Sequence, residues 1–95
     1  MSANAILQML QEQKHYMYDN FDVKKIGLFG SYAKGNETSE SDIDIIVDMP
    51  SSFDKYYALK EFLESLFHKK VDLGLEKSIR ELVKHKIANE IIYVK

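Results

Sequence analysis

A small mixed β-sheet flanked by helices, of the α/β (α+β) class, is predicted by three observations on this sequence. Three short stretches, at 23–29, 42–48 and 70–75, are rich in apolar residues, and the last two alternate apolar and polar positions at the strand period. Around them, 2–18, 53–67 and 79–94 repeat their apolar residues at the helical period. Glycine is scarce and Pro50 is the sole proline, so the punctuation between these stretches is sparse and local. The expected order is helix, strand, short helix, strand, helix, strand, helix, which suits a small sheet covered by helices.

Each element has its own signal. Ile6, Met9, Leu10 and Met17 recur at roughly helical spacing over 2–18, and Asp19-Asn20 would end that helix. Ile26, Leu28 and Phe29 mark the first strand. Gly30 to Lys34 suits a short helix opened by a Gly-Ser turn, and the polar run 35–41 reads as a loop. Ile43, Ile45 and Val47 alternate with Asp42, Asp44 and Ile46, a strand with one acidic end. Ser51 or Ser52 can cap the helix at 53–67, whose broad apolar face is expected to hold Phe53, Tyr56, Leu59, Phe62, Leu63, Leu66 and Phe67. Val71, Leu73 and Leu75 face one way on the third strand, Asp72 and Gly74 the other. Ile79, Leu82, Val83, Ile87, Ile91 and Val94 form the stripe of a final helix, which would cover the sheet or meet a partner.

Bulk properties narrow the function classes. Ninety-five residues, 45% of them hydrophobic, are expected to form one domain spanning 1–95, without room in that length for a second, substrate-binding domain. The formal net charge of −2 argues against a long nucleic-acid track, so no direct nucleic-acid partner is expected. Without cysteine there are no disulfides, zinc–thiolate sites or thiol catalysis. The start, MSANAILQML, lacks a basic region and a cleavage site, and no apolar run approaches the ~20 residues of a membrane span. The expectation is a cytoplasmic protein that does not enter membranes.

The chemistry sits between Gly27 and Met49, in GLFGSYAKGNETSESDIDIIVDM. Asp42 and Asp44, two apart on a strand, share a face with Cα atoms roughly 6.5 Å apart. Asp72 lies on another apolar strand with its neighbours turned away. If these strands pair, three acids meet, and their repulsion would raise one another's pKa. A divalent cation removes that conflict, and oxygen-only ligands select Mg²⁺ or Mn²⁺. Two such ions about 3.5–4 Å apart would clamp a phosphoryl or nucleotidyl transfer. Gly30 lets the backbone approach a phosphate, Ser31 adds a hydroxyl donor, and the amides that follow open a helix. Gly30-Ser31 would then hold the β- and γ-phosphates of a nucleoside triphosphate. Asp42 and Asp44 would hold the metal, and Asp72 would complete a second metal site and accept the proton of the attacking hydroxyl.

Gly-Ser, ten residues, Asp-x-Asp and a later strand Asp resemble the nucleotidyltransferase fold superfamily of DNA polymerase beta. More narrowly, FGSYAKG, SDIDIIV and KKVDLG resemble the minimal nucleotidyltransferase (MNT) proteins. A lone GS or DxD would be weak; the joint pattern is specific and the resemblance spans essentially the whole chain. It implies a nucleotidyltransferase fold and the antitoxin of a pair with an all-helical HEPN toxin. It further implies transfer of AMP from ATP, with Mg²⁺, to a tyrosine of that HEPN ribonuclease. Carried over, Gly30 and Ser31 are the phosphate motif, Asp42 and Asp44 the metal ligands, and Asp72 the third acid. Many relatives have Arg where this chain has Lys34, which puts a bidentate phosphate contact there in doubt and makes a surface role at least an equal alternative.

Plainer readings compete at several positions. Gly30-Ser31 alone is more often a turn, and Asp72 would pair with Lys69 or Lys70 as an ordinary strand acid. Unpaired acids on a strand as apolar as 43–47 are expensive, which favours ligands. Asp48 shares their parity but lies roughly 13 Å from Asp44. His15, His68 and His85 show no metal spacing. Tyr32 is expected at the sheet edge, Tyr56 and Tyr57 in the core or on the helix surface, Glu37 and Glu40 in a solvated loop, and Lys84, His85 and Lys86 on a solvated face. Two rival functions stay open: a non-catalytic nucleotide-binding antitoxin that inhibits by docking, and a small-molecule nucleotidyltransferase whose pocket a homodimer would complete. Homo- and hetero-oligomers are both compatible with the sequence.

Overall fold

The computed structural model describes residues 1–79 and 90–94. Two helices come first, α1 (Ala3–Glu12) and α2 (Lys14–Phe21), where the sequence suggests one. The bend falls at Gln13 (φ −98°, ψ 3°), whose N–H is shared between the Met9 and Leu10 carbonyls at 3.2 Å each. Ile6, Leu10 and Met17 are buried, but Gln13 and Lys14 offer no apolar anchor where the stripe needs one, so contact with the core lapses there. α2 runs past Asp19-Asn20 to Phe21, whose ring centroid stands 5.8 Å from that of Phe62, and stops at Asp22 in a left-handed conformation.

Strand β1 (Lys25–Phe29), short helix α3 (Gly30–Lys34), strand β2 (Ile43–Asp48), helix α4 (Phe53–Phe67) and strand β3 (Val71–Leu75) follow. α4 begins where the serines predict, with the Ser52 hydroxyl accepting from the Lys55 N–H, and ends at His68 in a left-handed conformation. Asp42 lies just before β2 rather than inside it. A fourth strand, β4 (Ile92–Tyr93), takes a place the sequence reading gave to the last helix. It pairs antiparallel with β1, and the Val94 N–H reaches the Ile26 carbonyl at 2.9 Å. Ile91 to Val94 is a β-branched and aromatic run, and Gly27 opposite leaves it space. The helical stripe expected over 79–94 falls mostly on 80–89, as do Lys84, His85 and Lys86, outside the described residues.

The sheet order is β3-β2-β1-β4, with β1 antiparallel to β2 and to β4, and β2 parallel to β3 through the α4 crossover. Strand parity sorts its two faces. Ile26, Leu28, Ile43, Ile45, Val47, Val71 and Leu73 form one core with Ile6, Leu10, Met17, Leu59, Leu63 and Phe67 from the helices. Each fully buried side chain of this size contributes about 1.5–3 kcal/mol, so this face holds the sheet in place. Tyr32 is 3% exposed and joins that core, because α3 packs on the central strands rather than at the sheet edge.

Candidate active site

The opposite face carries the polar chemistry, laid out in rows by register. Phe29, Asp44 and Asp72 lie side by side across β1, β2 and β3; Gly27, Ile46 and Gly74 form the next row; Lys25 and Asp48 pair beyond it. Parallel pairing thus puts Asp44 and Asp72 opposite each other, the meeting the sequence made conditional on strand pairing. Asp42, exposed at the end of the 35–41 loop, joins them electrostatically. Asp48 stands two rows away, next to Lys25.

The electrostatic consequence falls on Asp44. Burial first, then the charge of Asp72 and its side-chain hydrogen bond, and last the charge of Asp42, push its carboxyl from the ordinary 3.8 up to about 6. None of the ion pairs among the described residues neutralises these acids: they are Lys25–Glu76, Lys34–Glu90 and Lys55–Asp22. Lys69, the plainest candidate to pair with Asp72, instead donates to the Ser39 carbonyl at 2.9 Å. Lys34 makes its ion pair on the surface, in keeping with a surface role.

Gly30 and Ser31 sit beside the acids because β1 runs directly into α3. Gly30 adopts φ +74°, a region open to glycine. A Cβ there would stand 2.9 Å from Asp44 Cγ and 3.1 Å from Asp44 Cβ, so the absent side chain is also what gives the carboxylate its place. Ser31 is the second residue of α3 and half-buried. The loop to β2 is shaped by Thr38 and Ser41, with the Thr38 N–H donating to Ser41 Oγ at 2.9 Å and the Ser41 N–H to the Thr38 carbonyl at 3.1 Å.

The donor set is all oxygen, and its crowding is of the kind a hard divalent cation relieves. As they stand, no three His, Asp or Glu side chains among the described residues are gathered around one point. Register sets Asp44 opposite Asp72, with Asp44 half-buried and both Asp42 and Asp72 exposed. His15 and His68 are exposed and belong to no such group. Two side chains near Asp72 carry no sequence signal: Glu64 and Tyr56, both on α4, bond the backbone of β3. Tyr56 reads as core or surface from the sequence, and Glu64 is one helical acid among several.

A family model described as a nucleotidyltransferase domain matches residues 10–94. The chain belongs to the nucleotidyltransferase domain family. A provisionally named protein adenylyltransferase of Methanocaldococcus jannaschii is 45% identical to this nucleotidyltransferase over 94 residues, covering 94% of each chain. The protein adenylyltransferase MntA of Thermococcus cleftensis is 35% identical over 91 residues, covering 94% of this chain and 92% of its own. A chain in the crystal structure of a toxin–antitoxin with AMP-PNP superposes with a TM-score of 0.72 at 25% identity, over 90% of this chain and 72% of that one. The expected nucleotidyltransferase fold and enzyme class therefore hold. Among the described residues, no helix of this nucleotidyltransferase is long and apolar enough to cross a membrane.

Proposed function

We propose that this nucleotidyltransferase is an antitoxin enzyme that transfers AMP from ATP to a tyrosine hydroxyl of a HEPN-type ribonuclease partner in the cytoplasm. The observation that carries the reading is the register match of Asp44 with Asp72 beside Gly30. Its context supports it: curated relatives named protein adenylyltransferases, and a structural neighbour in a toxin–antitoxin with AMP-PNP. The HEPN partner, the tyrosine and Mg²⁺ rest on the motif resemblance.

In this reading residues 1–95 act as one domain. The Gly30-Ser31 amides and the Ser31 hydroxyl bind the β- and γ-phosphates. Asp42, Asp44 and Asp72 would hold Mg²⁺, which when bound neutralises the carboxylates and polarises the phosphate oxygens. The partner's hydroxyl oxygen bonds to the α-phosphorus, and the bond from that phosphorus to the oxygen bridging to the β-phosphate breaks. Pyrophosphate leaves with the bond's electron pair, and Asp72 takes the hydroxyl proton.

Labelled ATP, Mg²⁺ and the HEPN protein encoded beside this chain make the test. Label on a partner tyrosine is expected, and none with an Asp42→Asn, Asp44→Asn double variant. A correctly folded partner that stays unlabelled by the parent protein overturns the reading.

A further inference from the structure

The two residues that flank Asp72 are each held from the same helix. Glu64 Oε2 accepts from the Val71 N–H at 3.0 Å, and the Tyr56 hydroxyl donates to the Leu73 carbonyl at 2.5 Å. Among the described residues β3 is the end strand on its side of the sheet, so only one of its edges is paired. The Ile43 N–H takes the Lys70 carbonyl at 3.0 Å, which turns Lys70 toward β2. Alternate residues of a strand turn their polar groups to opposite sides, so Val71 and Leu73 present theirs to the open edge. There α4 meets them. Tyr56 and Glu64 are about two turns apart on a helix anchored in the core by Leu59, Leu63 and Phe67.

We propose that Glu64 and Tyr56 are positioning residues for the transfer: by tying the backbone on both sides of Asp72 to α4, they fix Asp72 against Asp44. The inference rests on the reading of Asp72 as a metal-holding acid. Neither side chain needs to touch nucleotide or metal. Groups that orient a ligand carboxylate from behind control metal affinity without ligating. An edge strand tied only to β2 leaves the β3 backbone around Asp72 free to slide or twist. Two ties from a packed helix remove that freedom where it matters for the site.

The test uses four variants of the full chain: Tyr56→Phe, Glu64→Leu, Glu64→Gln and the double Tyr56→Phe, Glu64→Leu. Three quantities are read: Mn²⁺ affinity without nucleotide, amide exchange at Val71 and Asp72, and transfer rate. Glu64→Leu and Tyr56→Phe are each expected to weaken Mn²⁺ binding about tenfold. The double variant should weaken it further, with faster exchange at Asp72. Glu64→Gln, which keeps a carbonyl acceptor, should stay close to the parent and show that the bond matters rather than the charge. Tyr56→Phe removes a single oxygen, so it keeps the test meaningful if the leucine variant folds poorly. Parent-like Mn²⁺ affinity and Asp72 exchange in the folded double variant overturn the proposal. If the parent binds Mn²⁺ but labels no partner, the transfer reading fails, and Mn²⁺ affinity and Asp72 exchange in the variants still decide whether Glu64 and Tyr56 position Asp72. A parent that binds no Mn²⁺ removes the metal-holding role of Asp72 and overturns the proposal.

Discussion

Gly30 and Asp44 fit together because one of them has no side chain. The Cβ that Gly30 lacks would lie 2.9 Å from Asp44 Cγ, and Gly30 holds φ +74°. Gly30→Ala therefore meets two obstacles: about 1–2 kcal/mol of left-handed backbone cost, and displacement of the carboxylate. A displacement of that kind lowers transfer on the order of 100-fold. A melting curve and a labelled-ATP assay read the two effects separately. Parent-like transfer by Gly30→Ala would show that Asp44 does not need its present place.

Asp44→Asn tests whether this acid serves the site at a cost to the fold. Its carboxylate is opposed by burial, Asp72 and Asp42, so neutralising it should raise metal-free stability at pH 8. The full shift would correspond to about 3 kcal/mol, and solvent at this half-open position screens it to on the order of 1 kcal/mol. Transfer should be abolished. A variant that is less stable than the parent in urea, with no metal added, contradicts this account. The double Asp42→Asn, Asp44→Asn variant also separates the rival: if it still neutralises a toxin in cells, docking rather than catalysis is the mode of inhibition.

The same carboxyl gives a pH dependence of definite sign. Folded Asp44 titrates at about 6 against an ordinary 3.8, so the native state binds this proton more tightly than the unfolded chain. Its contribution to stability is fully present below pH 3.8, declines as the pH rises to about 6, and is absent above. Metal-free denaturation curves across that window should show the loss, and Asp44→Asn should remove this component. Added Mg²⁺ competes with the proton, so the rise in melting temperature it causes should be larger at pH 7 than at pH 5. An equal rise at both would place the metal elsewhere.

Gly27 sits under β4. A Cβ there would come within 2.7 Å of Ile91 Cγ2, 3.1 Å of the Tyr93 ring and 3.3 Å of the Ile92 carbonyl. Gly27→Val should loosen β4 and cost about 1–3 kcal/mol. Tyr93 is the reporter, since its hydroxyl donates to Glu76 at 3.1 Å and Lys25 lies 4.6 Å from its ring centre. Its fluorescence and the amide exchange of Val94 should change together. An unaltered exchange rate at Val94 would show that β4 has another route past the added methyls.

Much of this architecture can be read from residue order. The spacing of Ile43, Ile45 and Val47 against Asp44 declares both a strand and its two faces, and Ser52 declares the start of α4. Gly30, Ser31, Asp42, Asp44 and Asp72 form a chemical pattern that needs no coordinates to notice. The pairing of Asp44 with Asp72 is different, because parallel register is set by how the α4 crossover seats β3, and no local period encodes it. β4 is illegible for another reason: Ile91 to Val94 continues a helical apolar stripe as well as it makes an edge strand, and two residues are too few to show alternation. The bend at Gln13 and the ties from Glu64 and Tyr56 depend on packing distances that appear only when the elements meet.

The alternation of β2 makes the core and the acids two readings of one strand. A slip of one residue would send Asp44 into the core face and turn Ile45 out onto the face that now carries the acids. Such a molecule would lose its packing together with its chemistry. Stability therefore acts as a proofreader of the site: heating or mutation should yield active molecules and unfolded ones, with no long-lived folded population carrying a misregistered centre. The fraction folded and the fraction able to transfer should track each other through the melting transition.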